Sequence, residues 1–333
     1  MRKTTLCVLT LVGLGLLWAV DRDADGCGMA FSRIAPVRVA IADESAIIIW
    51  DEANKTEHFI RRSNYKTTAR DFGFLVPTPT QPELAEAKDQ AFKMLERLTA
   101  PVILPPPPGG PRFPGAPAGG KVEVLEIKRV AGFIAAVLKA TDADALNDWL
   151  KKNDYQSRPE LTTWLEPYIK SGWIITAFKI ASDEPKSSSI ATAAVRMSFK
   201  TERPFYPYRE PADARVVTEG SVAPARLLRV YVLTKDRVQA NVGKDGQFPG
   251  KTVWANTITA NSSKALAKHL KLEAWQPGEG WWLTEMEDRS SPRPGTDEVY
   301  FSTSTDQSTV ARPPVQRFGP PRLPVPAPLP APK

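Results

Sequence analysis

Histidine and cysteine are almost missing from this sequence of 333 residues, which contains two of each. A structural zinc site usually needs four such ligands, and neither His58 nor His269 has a partner at ligand spacing. A papain-like nucleophile would need Cys27 to be activated by a histidine, which its position near the N-terminus does not favour. We therefore expect neither a metal site nor a cofactor.

Sequence motifs for phosphate chemistry are also absent. The chain has no glycine-rich phosphate loop and no dinucleotide-binding fingerprint. The tripeptide Asp71-Phe72-Gly73 matches the metal-binding loop of protein kinases, but the other kinase motifs do not accompany it. We interpret this match as a coincidence.

The N-terminus has the pattern of an export signal. Arg2 and Lys3 precede an apolar run at residues 5–20, and charged residues at 21–23 interrupt it before it reaches membrane-spanning length. A cut before Cys27 would follow small residues, and the product would be periplasmic or extracellular. Cys27 could then be lipidated, as in a lipoprotein, although the residues before it fit that processing poorly. With Cys7 removed, no disulfide could form within the chain.

Proline and positive charge gather in two segments. The chain has 32 prolines and a formal net charge of +7. Residues 105–120 are too rich in proline and glycine to pack, and residues 311–333 contain basic side chains but no acidic one. We expect a disordered tail that either contacts an anionic envelope polymer or is simply a soluble end. Because the protein is expected to be exported, nucleic acid is not an expected partner, and a membrane is expected only through the signal or a lipidated Cys27.

Hydrophobic periodicity predicts an α+β fold with mostly antiparallel sheets and a few flanking helices. Strands are predicted at 37–42, 46–51, 58–61, 72–76, 173–181, 191–200, 227–234, 253–260 and 299–304, and the first three are expected to form an antiparallel meander. A strand is expected to stop at Pro77. Helices are expected to begin at Thr80, Thr141 and Ser262, and a further helix near Leu161 is expected to kink or divide at Pro167.

These elements suggest one or two mixed lobes. The boundaries that we predict are a signal peptide at 1–26, an N-terminal α+β lobe at 27–104, a loop or linker at 105–120, a second α+β region at 121–310 and a disordered tail at 311–333.

An ordered set of short segments resembles a family of exported bacterial proteins known only as a domain of unknown function, DUF2330. The segments are Cys27-Gly28, FGFLVPTP at 72–79, VAGF at 130–133, ATDADAL at 140–146, Trp149-Leu150, NDY at 153–155, residues 168–178 and YPYR at 206–209. The family usually has glycine where this chain has Asp154. The resemblance implies export and a shared fold, and it supplies no activity and no functional residues.

Two kinds of candidate site remain. Asp142 and Asp144 could act as paired carboxylates on a sugar, or they could simply stabilise the start of a helix. Trp281 and Trp282 would point to opposite faces of a strand, so one indole could pack while the other stacks on a ligand.

The segment that contains Tyr206 and Arg209 offers a further candidate. Arg209 could bind a carboxylate through two hydrogen bonds, and Tyr206 is the aromatic candidate beside it. A packed corner of proline and aromatic residues is the alternative.

Taken together, these patterns favour a non-enzymatic envelope protein that binds a polymer or another envelope protein. A hydrolase that uses carboxylates on envelope glycans or peptides is the alternative, and a purely structural role is a third hypothesis.

Overall fold

The structure, a computed structural model, describes residues 30–32, 39–67, 72–104, 133–153, 155, 159–180, 189–191, 194–215, 226–272, 274–275 and 277–316. The expected signal segment, the 105–120 loop and residues 317–333 lie outside this part of the chain.

Within the described residues, the helices are α1 (Gln90–Leu98), α2 (Ala143–Lys152), α3 (Pro159–Lys170) and α4 (Ala260–His269), with a 3-10 helix at Ala212–Arg215. The strands are β1 (Ala30–Ser32), β2 (Val39–Asp51), β3 (Thr56–Thr67), β4 (Phe72–Thr78), β5 (Glu83–Ala87), β6 (Ile103–Leu104), β7 (Phe133–Leu138), β8 (Ile174–Ile180), β9 (Ser189–Ala191), β10 (Ala194–Lys200), β11 (Phe205–Tyr206), β12 (Leu227–Thr234), β13 (Val238–Val242), β14 (Gly246–Gln247), β15 (Lys251–Thr257), β16 (Trp282–Asp288), β17 (Val299–Thr303) and β18 (Val315–Gln316).

An eight-stranded sheet forms the centre of the fold. Its strand order is β15-β16-β12-β2-β3-β10-β5, and β9 also pairs with β3. All of these pairs are antiparallel except that of β2 with β12, which is parallel. Strands β2 and β3 pair antiparallel, as the predicted meander requires, but β2 is one strand where two were predicted, because a register shift between Ile41 and Asp43 lets the pairing continue. The α+β class and the mostly antiparallel sheets are therefore confirmed.

Two smaller sheets cover one face of the central sheet, which we call the inner face. Their orders are β1-β4-β8-β7 and β11-β17-β13-β14. Aromatic and aliphatic side chains fill the space between the sheets, and Phe74 stacks on Phe178 with 4.7 Å between the ring centroids. Phe59 of the central sheet belongs to the same core. Burial of this apolar surface is the main stabilising contribution to the fold.

Helices form the two outermost layers. On the outer face of the central sheet, Phe92 of α1 and Leu266 of α4 pack over Ile47 and neighbouring residues. On the far side of the molecule, α2 and α3 pack over Ile175 of β8. The molecule thus has helices outside and two layers of sheet inside.

Several predicted boundaries were wrong for local reasons. No helix begins at Thr80, because β5 pairs with β10 at the edge of the sheet before α1 starts. Strand β4 continues through Pro77 to Thr78, and β1 pairs only as far as Phe74, so proline lies where one side of the strand has no ladder to lose. Helix α3 contains Pro167 without a break.

The predicted helix caps are each displaced. Asp142, not Thr141, caps α2, and Thr259, not Ser262, caps α4.

Candidate functional site

The two carboxylates considered for catalysis lie at the exposed start of α2. The backbone N–H of Ala145 donates to Asp142 Oδ1 over 2.6 Å, which is the geometry of an N-cap. Asp144 lies in the first turn, where a negative charge favours the helix dipole. The structural interpretation therefore accounts for both residues.

Tyr206 and Arg209 belong to a packed segment. Tyr206 is buried and contacts Phe59 edge to face, so it has almost no surface for a ligand. Arg209 does bind carboxylates, but those of its own chain. Its Nη2 donates to Asp297 Oδ1 over 2.8 Å, and its Nε lies 3.6 Å from Glu298 Oε1.

Trp281 and Trp282 are each half-buried. The indole of Trp281 packs edge to face on Trp275, with 5.0 Å between the ring centroids, and joins the core beneath α4. Trp282 begins β16. Neither residue belongs to a flat, exposed aromatic surface.

The sequence analysis missed a buried group of three acids and three arginines, which we call the inner cluster: Glu44, Arg61, Glu210, Arg226, Asp288 and Arg293. All six side chains are buried. Arg226 donates to both carboxylate oxygens of Glu210, at 2.7 and 3.3 Å. Arg61 donates to Glu44. Arg293 lies between the acids, 3.5 Å from Asp288 and 3.9 Å from both Glu44 and Glu210.

The inner cluster joins strands to loops. Asp288 also accepts hydrogen bonds from the Tyr208 hydroxyl at 2.8 Å and from Ser290. Burial raises the pKa of Glu210, and the nearby Arg226 offsets only part of that rise. Since the six side chains are closed to solvent, no substrate can reach them. We interpret the cluster as a structural connection between the central sheet and the 207–211 and 289–298 loops.

A second cluster lies on the outer face of the central sheet, at β12 and β16. This outer cluster consists of Arg229, Glu285, Glu287, Arg289 and Arg312. Arg312 Nη2 lies 2.6 Å from Glu285 and 2.7 Å from Glu287, and Arg229 contacts the same two acids at 2.9 and 2.8 Å. Burial by itself would raise the pKa of Glu287, but hydrogen bonds from the three arginines lower it to about 2.

Arg312 comes from the segment that was expected to be disordered. That expectation was wrong for residues 311–316. Val310 and Ala255 exchange backbone hydrogen bonds of 2.8 Å, and β18 pairs in parallel with β6. The segment is therefore fixed across the outer face of the sheet.

The outer helices contain a groove with basic side chains. Its volume is about 360 Å³, and it lies between α1 and the C-terminal end of α4. We call it the basic groove, and its lining residues are Gln90, Lys93, Met94, Arg97, Leu98 and His269. Lys93 is 3.4 Å from Asp89, and Arg62 holds both Asp89 and Glu96. Among the described residues this leaves Arg97 without an ion pair.

The sequence indicates the inner cluster only in part. Glu44 alternates with Ala46 and Ile48, and Arg61 alternates with Phe59, so each charge shares a strand face with core residues. That pattern predicts buried charges but not their partners. No sequence pattern predicts the basic groove, because its side chains come from two helices that are about 170 residues apart in the chain.

No group of histidine, cysteine, aspartate or glutamate in the described part of the chain could hold a metal ion. Nor does any helix in those residues combine the length and the apolar character needed to cross a membrane.

Comparisons with known proteins agree with the resemblance seen in the sequence. A family model described as an uncharacterized protein conserved in bacteria, DUF2330, matches residues 23–301. The search of curated proteins found no match. Among solved structures, the crystal structure of baculovirus P35 is 6% identical, with a TM-score of 0.39, and the alignment covers 80% of this chain and 98% of that one. So low a TM-score supports no functional argument.

Proposed function

We propose that this chain, which belongs to the DUF2330 family of proteins conserved in bacteria, is an exported protein of the cell envelope. In this proposal it binds an anionic polymer without chemical turnover. The basic groove is the observation that carries this proposal. The groove combines Arg97, which has no ion pair among the described residues, with Lys93 and the imidazole of His269. The guanidinium and ammonium groups can donate charge-assisted hydrogen bonds to carboxylate or phosphate groups, and the imidazole can donate a further hydrogen bond.

The floor of the groove suits a polymer as well. Met94 and Leu98 supply apolar surface between the basic side chains. Sugar rings and alkyl segments can pack on such a surface while their acidic groups face the rim. The volume of about 360 Å³ is at the lower end of the range for ligand pockets, so the groove would hold one or two units of a longer chain.

The sequence that follows β18 is also positively charged. Strand β18 pairs with β6, which follows α1 closely in the chain. Arg317, Arg322 and Lys333 come after β18, and no acid lies among them.

The hydrolase alternative has less support. Its candidate residues, Asp142 and Asp144, stabilise a helix terminus, and no described observation gives them a substrate cleft. We retain binding without turnover as the proposed function.

Binding of polygalacturonate, an anionic polysaccharide, tests the proposal. The exported form would be compared with the double variant Lys93→Glu/Arg97→Glu by titration calorimetry at low and high salt. We expect affinity to fall by about tenfold or more in the variant, and we expect high salt to weaken wild-type binding.

The matched control is Lys139→Glu/Lys152→Glu, which changes the net charge equally on the other side of the molecule. Equal losses in the two variants would show that only total charge matters and would overturn the groove as the site. Binding of polyglutamate in preference to the polysaccharide would point to an acidic protein partner instead. Melting curves would confirm that each variant is folded.

A further inference from the structure

Exposed apolar side chains concentrate at one place on the outer face. We call this place the apolar tip, and it consists of Leu98, Val102, Ile103 and Val315. Their exposed fractions are 37%, 68%, 54% and 50%, respectively. The only other large hydrophobic side chains in the described residues with comparable exposure are Ile134 and Val137 on β7. Single exposed apolar residues are ordinary, but a group of four is not.

Backbone hydrogen bonds hold the members of the tip together. Ile103 and Val315 are register partners in the β6–β18 pair, and the N–H of Val315 donates to the Val102 carbonyl over 3.0 Å. Leu98 ends α1 four residues before Val102, with Thr99 as the C-cap. The chain has therefore built a defined apolar surface from two segments that are more than 200 residues apart.

The surroundings of the tip are basic. Arg97 and Lys93 line the adjoining groove, and Leu98 belongs to both the groove and the tip. The acids of this region, Asp89 and Glu96, lie against Arg62 at 2.7 and 2.6 Å. In the outer cluster, three arginines surround two glutamates.

We infer that the apolar tip inserts into the surface of an anionic lipid bilayer. Apolar side chains that project beside basic ones match the boundary between acyl chains and negatively charged headgroups. The most exposed residue of the tip, Val102, is 68% exposed and lies in the short connection between α1 and β6. The sequence predicted membrane contact only through the signal or a lipidated Cys27, so this surface is an addition to that expectation.

This inference goes beyond the proposed function, because the tip would contact lipid while the groove binds polymer. The two would act together: insertion of the tip would place the basic groove close to the membrane surface, where acidic envelope polymers can reach it.

Co-sedimentation with lipid vesicles tests the inference. The exported form would carry Cys27→Ser, so that an acyl chain cannot supply the binding. Vesicles of phosphatidylcholine with phosphatidylglycerol would be compared with vesicles of phosphatidylcholine alone. We expect binding to the anionic vesicles, weaker binding to the neutral ones, and a loss of about tenfold or more in Ile103→Asp.

The matched control is Ile134→Asp. Ile134 is the same residue type in a strand, with an exposed fraction of 52% against 54% for Ile103. Retained binding by this control supports the tip. Equal binding by Ile103→Asp and the wild type would overturn it and leave the basic side chains as the cause. No binding of the wild type to anionic vesicles would also overturn it and leave a protein as the better occupant.

Two safeguards keep the outcomes separate. Should Ile103→Asp fail to fold, Val102→Asp replaces it, because Val102 lies outside the strand and is 68% exposed. Polygalacturonate binding is measured on the same variants without lipid. If the tip inference fails while the proposed function holds, the protein binds polymer but not vesicles. If the proposed function fails while the tip inference holds, the protein binds vesicles but not polymer.

Discussion

The central sheet has an arginine–carboxylate cluster at each of its two faces, and the two faces affect these groups differently. On the inner side, Arg293 lies among three acids in a region closed to water, and burial raises the pKa of Glu210. On the outer side, Arg229 and Arg312 are about one-fifth exposed, and the pKa of Glu287 falls to about 2. The residue types are the same.

The difference follows from what each cluster loses and gains. Removing a charge from water is costly, and ion pairs in the interior often do no more than offset that cost. The outer acids are as buried as the inner ones, but Arg229 and Arg312 keep about one-fifth of their side-chain surface exposed, and the acids gain several charge-assisted hydrogen bonds. The inner cluster should therefore be sensitive to the loss of any one member, whereas the outer cluster should make stability depend on pH.

Removal of Arg293 should cause the largest effect. The variant Arg293→Met leaves three buried acids with two arginines, so we expect a loss of about 3–5 kcal/mol in the free energy of unfolding. Denaturant titration measures this loss. Arg289→Met is the control, because Arg289 is 65% exposed and pairs only at the edge of the outer cluster. A similar loss in both variants would contradict the proposed difference between the faces.

The approach of Gly295 to the inner cluster gives a second test. Gly295 has a φ of +44°, its carbonyl accepts from the Glu210 N–H, and an added Cβ would lie 2.9 Å from Glu210 Cβ. We expect Gly295→Ala to destabilise the protein more than Gly172→Ala. Gly172 also has a positive φ, at +72°, but no neighbour within 4 Å of an added Cβ.

Backbone strain alone should make Gly172→Ala cost about 1–2 kcal/mol. The excess in Gly295→Ala then measures the tight contact with Glu210. Equal melting temperatures for the two variants would mean that the loop can move away from the inner cluster without loss.

Acid titration should separate the outer cluster from the rest of the molecule. The folded pKa of Glu287 is about 2 and its ordinary value is 4.5. The unfolded chain therefore binds more protons between these values, so this contribution to stability is present above about pH 4.5 and is lost as the pH falls toward 2.

The variant Glu287→Gln should be less stable than the wild type at neutral pH, and the difference should shrink as the pH falls through that window. Unfolding free energies measured at several pH values test this expectation. Glu202→Gln is the control, because Glu202 is 83% exposed and should show no such pH-dependent difference. A constant difference for Glu287→Gln would contradict the ion-pair explanation.

The smallest effects are expected for the two exposed carboxylates at the start of α2. Asp142→Ala removes the N-cap of α2 and should cost about 1 kcal/mol. Asp144→Ala should cost only a few tenths of a kcal/mol, through the helix dipole. Thermal unfolding measures both. Equal losses in the two variants would argue against the N-cap. Together, the two losses show what an exposed carboxylate contributes to stability, for comparison with the carboxylates of the buried clusters.

Local sequence patterns predicted much of the central sheet, but they predicted little of the two charged clusters or of the basic groove. Strands β8 and β12 and the β2–β3 hairpin follow from alternating or continuous apolar residues, and the structure confirms them. Strand β5 was missed because its pairing with β10, which is distant in sequence, overrides helix propensity. The inner cluster joins residues from Glu44 to Arg293, and no local pattern can state which buried charges will meet.

The position of β2 has a consequence for how the chain acquires its structure. This strand is made early and pairs at once with β3, but its other neighbour, β12, begins at Leu227. The middle of the sheet thus presents an open, isoleucine-rich edge until nearly two hundred further residues have been synthesised. Long-range closure of this kind is slow and leaves apolar strands prone to aggregation. We therefore expect the nascent chain to depend on a holding chaperone until β12 closes that edge.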